Sequence, residues 1–414
     1  MKICQITSGL IKIPPDGWGA VEKIIWNYKI FFEKLGHQVD IKLHFVDSDF
    51  GERLNNEYDI VHCHMANHCN LLKSQKVDSI FTCHDHHAFW WGKQSRCFLE
   101  NRKAIQNSQI TLVPGEFLVN YFENPYKTFY FPHGVDTNIF KPNNPKEFSF
   151  LCVANNGLID NPIFDRKGFK EAIMLAKSLD LPITIAGPSK NNKLFFDSNQ
   201  ELLTYKKLNI QYDLNETQLY ELYQNHSIFL HFSKVEAGHP NLTLLEALSC
   251  GLPIIGTYSG SDNLNGMLIL DDITNTNLIK TFLNNYSKHR KAALETAKQF
   301  DYSIITKKLE NICINLLNND PITNSKIFFN QLISSYSNPP KKSRLQRVLP
   351  LPKININFIK GAFCEIISPP NNYLVEFTDG DRILHSDTIN NNCWVKCFRE
   401  YFTNYYITIK NPDN

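Results

Sequence analysis

The sequence of 414 residues has almost no excess of charge of either sign: 43 Lys and Arg stand against 41 Asp and Glu, a net +2. So balanced a surface does not advertise a nucleic-acid partner or a polybasic membrane face. No apolar run approaches the roughly 20 residues that a membrane-spanning helix needs, which leaves only peripheral membrane contact open. The opening MKICQITSGLIKI is too short and too interrupted for a signal peptide, and no small-residue cleavage site precedes Pro14-Pro15. A disulfide frame is missing as well. The 11 cysteines are odd in number and scattered, so reduced thiols and a cytoplasmic location are expected. The chain has no strong internal repeat and no GxGxxG dinucleotide fingerprint. What it does have is 43% hydrophobic residues beside 20% charged ones, enough for a sizeable core and incompatible with wholesale disorder. At roughly 100–200 residues per domain, its length predicts two to four domains.

The order of its apolar segments is that of an α/β protein. Lys2–Ser8 reads as a buried strand that enters a loop containing Pro14, Pro15, Gly17, Trp18 and Gly19. A helix follows, with Val21, Ile24, Ile25, Tyr28, Phe31 and Phe32 on one face. Gly36 ends it, and Val39–Val46 is the next strand. This is the opening of a parallel βαβ unit. Asp59–His64, Ser79–Cys83, Ile110–Val113 and Thr128–Phe131 continue the series. A Pro/Asn-rich break at 141–147 then precedes a second one: strand Phe148–Val153, helix Gly168–Leu179, strand Pro182–Ala186, helix Glu216–Asn225, strand Ile228–His231, helix Leu244–Cys250 and strand Pro253–Gly256. Residues 1–142 and 147–318 are therefore expected to form two Rossmann-like lobes facing across a cleft. Residues 319–353 read as a linker, Pro-rich and basic from 337 onward. Residues 354–414 read as a small all-β module with a hairpin signal at Asp379-Gly380.

Three stretches carry candidate chemistry. Gly17-Trp18-Gly19 lies between the first strand and helix, where glycines let backbone N–H groups approach an anion at a helix N-terminus; a plain turn is the competing reading. Asp165-Arg166-Lys167-Gly168 puts two cations in what reads as a first helical turn, against the helix dipole. That placement makes sense if they face a diphosphate, and the alternative is a solvated surface pair. Between Ser233 and Pro253 a strand ends in a Gly/Pro loop holding Glu236, Gly238, His239 and Asn241. The helix after it carries Glu246 and is closed by Gly251. A carboxylate one turn into such a helix can accept both hydrogen bonds of a ribose diol, while one in the loop can hold sugar hydroxyls.

Taken in order, GWGAVEKIIW, FTCHD (81–85), PHGVDTNIFKP (132–142), DRKG, IAGP (185–188) and EAGHPNLTLLEALSCGLP resemble a retaining GT-B glycosyltransferase of family 4, the group 1 glycosyl transferases, over about residues 1–318. The resemblance implies transfer of a sugar from a nucleoside-diphosphate sugar, a UDP- or GDP-sugar, to a glycan, lipid or protein acceptor with retention of configuration. It implies no tightly bound cofactor and no metal. Gly17 and Gly19 would lie under the donor phosphates and His84 near the reacting sugar. Lys167, with Arg166, would neutralise the leaving diphosphate. Glu236 would contact the donor sugar, Glu246 the ribose, and Gly238, His239 and Asn241 the rest of the nucleotide. Two departures stand out. The family's two glutamates are usually separated by seven residues, but nine lie between Glu236 and Glu246. Where the family often has Gly-Arg after the first strand of the second half, this chain reads Val153-Ala154-Asn155-Asn156.

The alternatives are a sugar-nucleotide epimerase on the same fold, and a catalytically weak or inactive carbohydrate-binding scaffold. His62, Cys63, His64, His68 and Cys69, with Cys83, His84, His86 and His87, crowd two strand ends. Their spacing matches no structural zinc pattern, and neighbouring loops at one sheet edge account for the crowding. Phe89-Trp90-Trp91 reads as core or interface packing, with an acceptor-stacking platform as the alternative. The C-terminal segment faintly resembles β-rich accessory modules of bacterial glycosyltransferases that modify proteins.

Overall fold

The computed structural model describes residues 1–43, 50–85, 88, 92–122, 124, 127–143, 145, 147–156, 164–234, 236, 240–257, 264–270, 273–320 and 322, together with the strand residues between 355 and 410. Gly238, His239, His86, His87, Phe89-Trp90-Trp91 and the basic stretch 337–353 lie outside them. Two units are distinguished: residues 1–84 with 104–338, and residues 85–103 with 339–414.

The first unit contains two parallel six-stranded sheets. In the first half, β1 (Lys2–Thr7), α1 (Ala20–Lys34), β2 (Gln38–Leu43), α2 (Phe50–Glu57), β3 (Ile60–Cys63), α3 (Ala66–Ser74), β4 (Ile80–Thr82), α4 (Arg96–Asn107, of which 104–107 fall in this unit), β5 (Ile110–Val113), α5 (Glu116–Tyr121) and β6 (Thr128–Tyr130) follow one another. The strands lie in the order β2-β1-β3-β4-β5-β6. In the second half come β7 (Phe150–Val153), α6 (Phe169–Ser178), β8 (Ile183–Gly187), α7 (Ser189–Asp197), β9 (Leu208–Tyr212), α8 (Glu216–Asn225), β10 (Ile228–His231), α9 (Leu242–Ser249), β11 (Ile254–Gly256), β12 (Met267–Ile269), α10 (Thr276–Asn284), α11 (Tyr286–Gln299) and α12 (Tyr302–Asn318). Their order is β12-β11-β10-β7-β8-β9.

Each order reverses once, at β1/β3 in the first sheet and at β7/β10 in the second. In open parallel sheets ligands bind outside the carboxyl ends of the strands at such reversals. The inner strands β1, β3, β5, β7, β8 and β10 are almost wholly buried, as expected for a sheet covered on both faces. The edge strands β9 and β12 are only half-buried; β9 is mixed in polarity, which is why no apolar run announces it in the sequence, and β12 is a short apolar triplet. The second core is built on Phe150, Phe169, Ile185, Phe195, Phe196 and Leu230. In it the Phe169 ring stacks on Phe196 at 5.6 Å and meets Phe195 edge-on at 5.5 Å.

The last helices return to the first sheet. Val135 N–H donates to the Phe300 carbonyl at 2.9 Å, and Tyr302 N–H to the Val135 carbonyl at 3.0 Å. Asp301 caps α12 and also accepts from the Thr137 hydroxyl at 2.6 Å. The buried Tyr302 ring then packs edge-on against Tyr28 of α1, 6.0 Å away.

In the second unit, β13 (Asn355–Ile359), β14 (Phe363–Ile367) and β17 (Cys393–Lys396) pair antiparallel in one small sheet. A second such sheet consists of β15 (Asn372–Thr378), β16 (Ile383–Asn390) and β18 (Tyr406–Lys410).

Candidate active site

At the β7/β10 reversal the two chemistry-bearing loops meet. Asp165 turns its carboxylate onto the start of α6, accepting from Phe169 N–H at 2.8 Å and Lys170 N–H at 2.9 Å. Gly168 adopts φ +68°, and a Cβ there would lie 2.4 Å from Phe232. The sharp passage this permits turns Arg166 and Lys167 back toward the strand ends. The helix begins only at Phe169. The two cations thus precede the helix, in contrast to the sequence reading that put them in its first turn.

Lys167 forms an ion pair with Glu236 from the β10 loop, and both side chains are close to nine-tenths buried. Burial drives the Lys167 ammonium down to about 8, helped by the like charge of Arg166 and opposed by Glu236. Burial alone would push the Glu236 carboxyl up, but Lys167, with Arg166, holds it well below the usual range. The Arg166 guanidinium, 6% exposed, donates to the Asn155 carbonyl at 2.6 Å. It therefore sits at the end of β7, where the sequence lacks the family's usual arginine. Lys234 N–H donates to the Arg166 carbonyl at 2.8 Å and ties the two loops together.

Glu236 continues into α9. Its Oε1 lies 3.7 Å from Nε2 of His231, and that nitrogen accepts from the Asn241 side-chain amide at 3.1 Å. Asn241 caps α9 by accepting from Leu244 N–H at 3.0 Å. Leu242 and Thr243, ahead of the helix expected from Leu244, already belong to it. The longer spacing between the glutamates has not carried Glu236 away from Lys167. Glu246, 6% exposed, accepts from the buried Tyr223 hydroxyl at 2.8 Å. Its other oxygen lies 3.8 Å from Lys23 Nζ, which reaches across from α1.

The Gly17 loop adjoins this assembly. Gly17 has φ +89°, and a Cβ there would lie 2.3 Å from the Leu214 carbonyl, next to the Asn215 cap of α8. The Gly19 carbonyl accepts from Lys23 N–H at 2.9 Å, opening α1.

At the β1/β3 reversal the histidines form a row. His64 Nε2–H donates to Oε1 of Gln5 at 2.6 Å, which leaves its Nδ1 to accept from Nε2–H of His84 at 3.0 Å. The His62 and His64 rings are 4.2 Å apart, His64 and His84 5.3 Å, and His84 and His133 5.7 Å. Burial lowers all four, His62 to about 3 and His133 to about 4, so the row is neutral at pH 7. Among the described residues no cluster of three or more His, Cys, Asp or Glu is placed to hold a metal ion, and no helix is long and apolar enough to cross a membrane.

Of the residues expected from the sequence, Lys167, Arg166 and Glu236 come together directly, and Asn241 joins them through His231. Glu246 and the Gly17 loop meet around α8 and Lys23, and His84 sits in the histidine row. Gln5, Lys23, Tyr223 and His231 were missed as site residues. Lys23 lies inside the GWGAVEKIIW stretch, but nothing local gives it or the other three a partner, and the fold brings them in.

The family model "Glycosyl transferases group 1" matches residues 160–263, the segment that carries Lys167, Glu236 and Glu246. Comparison with curated protein sequences finds no match. Among solved structures, the chain is similar to AviGT4, a glycosyltransferase involved in avilamycin A biosynthesis, at 15% identity and TM-score 0.55, covering 77% of this chain and 98% of that one. It is similar to HepE of Anabaena in complex with UDP-glucose at 13% identity and TM-score 0.56, covering 75% and 99%. It is also similar to an α-glucosyltransferase in complex with UDP-glucose and DNA containing an abasic site, at 13% identity and TM-score 0.56, covering 76% and 99%. These likenesses carry the fold, two parallel α/β sheets of GT-B type. The family match falls on the site-bearing segment, where the chain is similar to the group 1 glycosyl transferases.

Proposed function

We propose that the protein transfers a hexose-type sugar from a UDP-sugar to a hydroxyl acceptor with retention of configuration. The observation that carries this reading is the buried Lys167–Glu236 pair beside Arg166 at the β7/β10 reversal, one helix from Glu246. Breaking the bond from the anomeric carbon to the phosphate puts negative charge on the diphosphate. Lys167 and Arg166 are already desolvated there, so they stabilise that charge without reorganising water. Glu236 holds the sugar hydroxyls and Glu246 the ribose, and the Gly17 loop covers the phosphates. The acceptor oxygen approaches from the leaving-group side, forms the new bond to the anomeric carbon and gives its proton to the departing phosphate oxygen. Neutral His84 orients the reacting sugar by hydrogen bonding. The bound UDP and UDP-glucose named for the neighbours favour uridine over guanosine. Nucleoside diphosphate release from a panel of sugar nucleotides tests the donor. With the active donor, Lys167→Ala and Glu246→Ala should each cut turnover at least about tenfold without unfolding the protein, since a charge-assisted contact is worth about 1.5–3 kcal/mol. Near-normal rates in both would place the donor elsewhere.

The antiparallel pairing within 355–410 supports the further reading that residues 354–414 are an accessory module that presents a polypeptide acceptor along a strand edge. Deleting 340–414 should then abolish acceptor transfer and leave donor hydrolysis intact; loss of both would make the segment a structural brace.

A further inference from the structure

We propose that Lys23 is a positioning residue for donor binding: reaching from the first lobe, its ammonium compensates the Glu246 carboxylate of the second, so the nucleotide grip is complete only when the lobes meet. This rests on the ribose role given to Glu246 above.

The placement of Lys23 is costly on local grounds. It occupies the first turn of α1, where the helix dipole disfavours a cation, and its side chain is only 11% exposed. Both costs are offset from the opposite lobe. Its Nζ lies 3.6 Å from Oε1 of Glu216, at the start of α8, and 3.8 Å from Oε1 of Glu246 on α9. Tyr223 holds the other Glu246 oxygen at 2.8 Å, so Oε1 is the one turned to Lys23. The groups that act on Glu246 or feel its charge are Lys23 of α1, Tyr223 and Glu216 of α8, Cys250 beside the end of α9, and Tyr302 of α12. Among these described groups Lys23 is the one cation. Burial raises the Glu246 carboxyl and Glu216 raises it further, while Lys23 and Tyr223 oppose them.

The sign follows. Without Lys23, Glu246 holds its proton to higher pH. A protonated carboxyl accepts ribose hydrogen bonds less well than a carboxylate. The neighbouring Gly17 contact with Leu214 brings the same two elements together, so the compensation depends on lobe approach.

The test compares wild type, Lys23→Met, Lys23→Arg and Glu246→Gln. The Glu246 carboxyl is titrated by carbon NMR in the ligand-free full chain, and UDP affinity is measured by calorimetry from pH 5.5 to 8.5. Expected for Lys23→Met are a Glu246 titration displaced upward by about one pH unit and UDP binding weakened by up to about tenfold at the acid end of the range, the gap closing as pH rises. Lys23→Arg should stay within about threefold of wild type. An unmoved titration, or tighter UDP binding by Lys23→Met (a lysine that merely blocks the ribose subsite), overturns the proposal. If Glu246→Gln weakens UDP and Lys23→Met does not, this inference alone fails. A wild type that binds no nucleoside diphosphate overturns the donor reading and this inference together.

Discussion

Lys167 is held in a state that pH can reach. Its charge is disfavoured first by burial and then by Arg166, and Glu236 only partly restores it, to about 8. Because this value lies below that of an ordinary lysine, the cation is present at neutral pH and is lost as pH rises through about 8. The kcat/KM profile, which reports the free enzyme, should therefore fall with unit slope above about pH 8. Lys167→Arg should carry the plateau past pH 9, since a guanidinium does not deprotonate there. An alkaline limb that stays in place in the arginine variant would show that another group sets it. Lys167 and Glu236 were legible in the sequence because each lies in a short motif whose loop is local. Gln5 and His231 were not. Gln5 meets His64 from 59 residues away across neighbouring strands, and His231 meets Asn241 only through the turn from β10 into α9.

Helix α9 joins two of these contacts in one piece of backbone. Asn241 caps it and donates to His231, and five residues on Glu246 meets Tyr223. The two duties of Asn241 can be separated. Asn241→Ala should cost about 1 kcal/mol of stability in urea unfolding, the usual worth of an N-cap, and raise donor KM. Asn241→Ser should recover the stability and keep the raised KM, because a serine caps but does not span to His231. Full recovery of both by serine would mean that the His231 contact contributes nothing. The strands were readable to within about two residues wherever they are buried on both faces, as at Ile110–Val113 and Ile228–His231. Edge strand β9 and the polar helices α2 and α3 escaped notice because their burial is partial and leaves no clean apolar period.

Between the lobes, the sequence suggested a cleft but could not say what keeps it narrow. Two features of the structure do. On one side α12 returns to the first sheet, with Val135 donating to the Phe300 carbonyl and accepting from Tyr302 N–H, and Tyr302 packed on Tyr28. On the other, Gly17 lies against the Leu214 carbonyl with no room for a Cβ, and Lys23 reaches Glu216 and Glu246 just beyond it. The first is continuous with the chain and largely apolar and the second is a small polar contact, so any opening is expected at the second. Gly17→Ala tests this. The methyl must either move the 214–215 backbone or hold the lobes apart, and it also strains a residue at φ +89°. Donor KM should rise about tenfold or more, and the radius of gyration from small-angle scattering should increase, while the thermal midpoint falls by only a few degrees because neither core is touched. Saturating donor should restore the wild-type scattering curve. An alanine variant with unchanged KM and unchanged scattering would mean that the Gly17 contact plays no part in closing the site over the nucleotide.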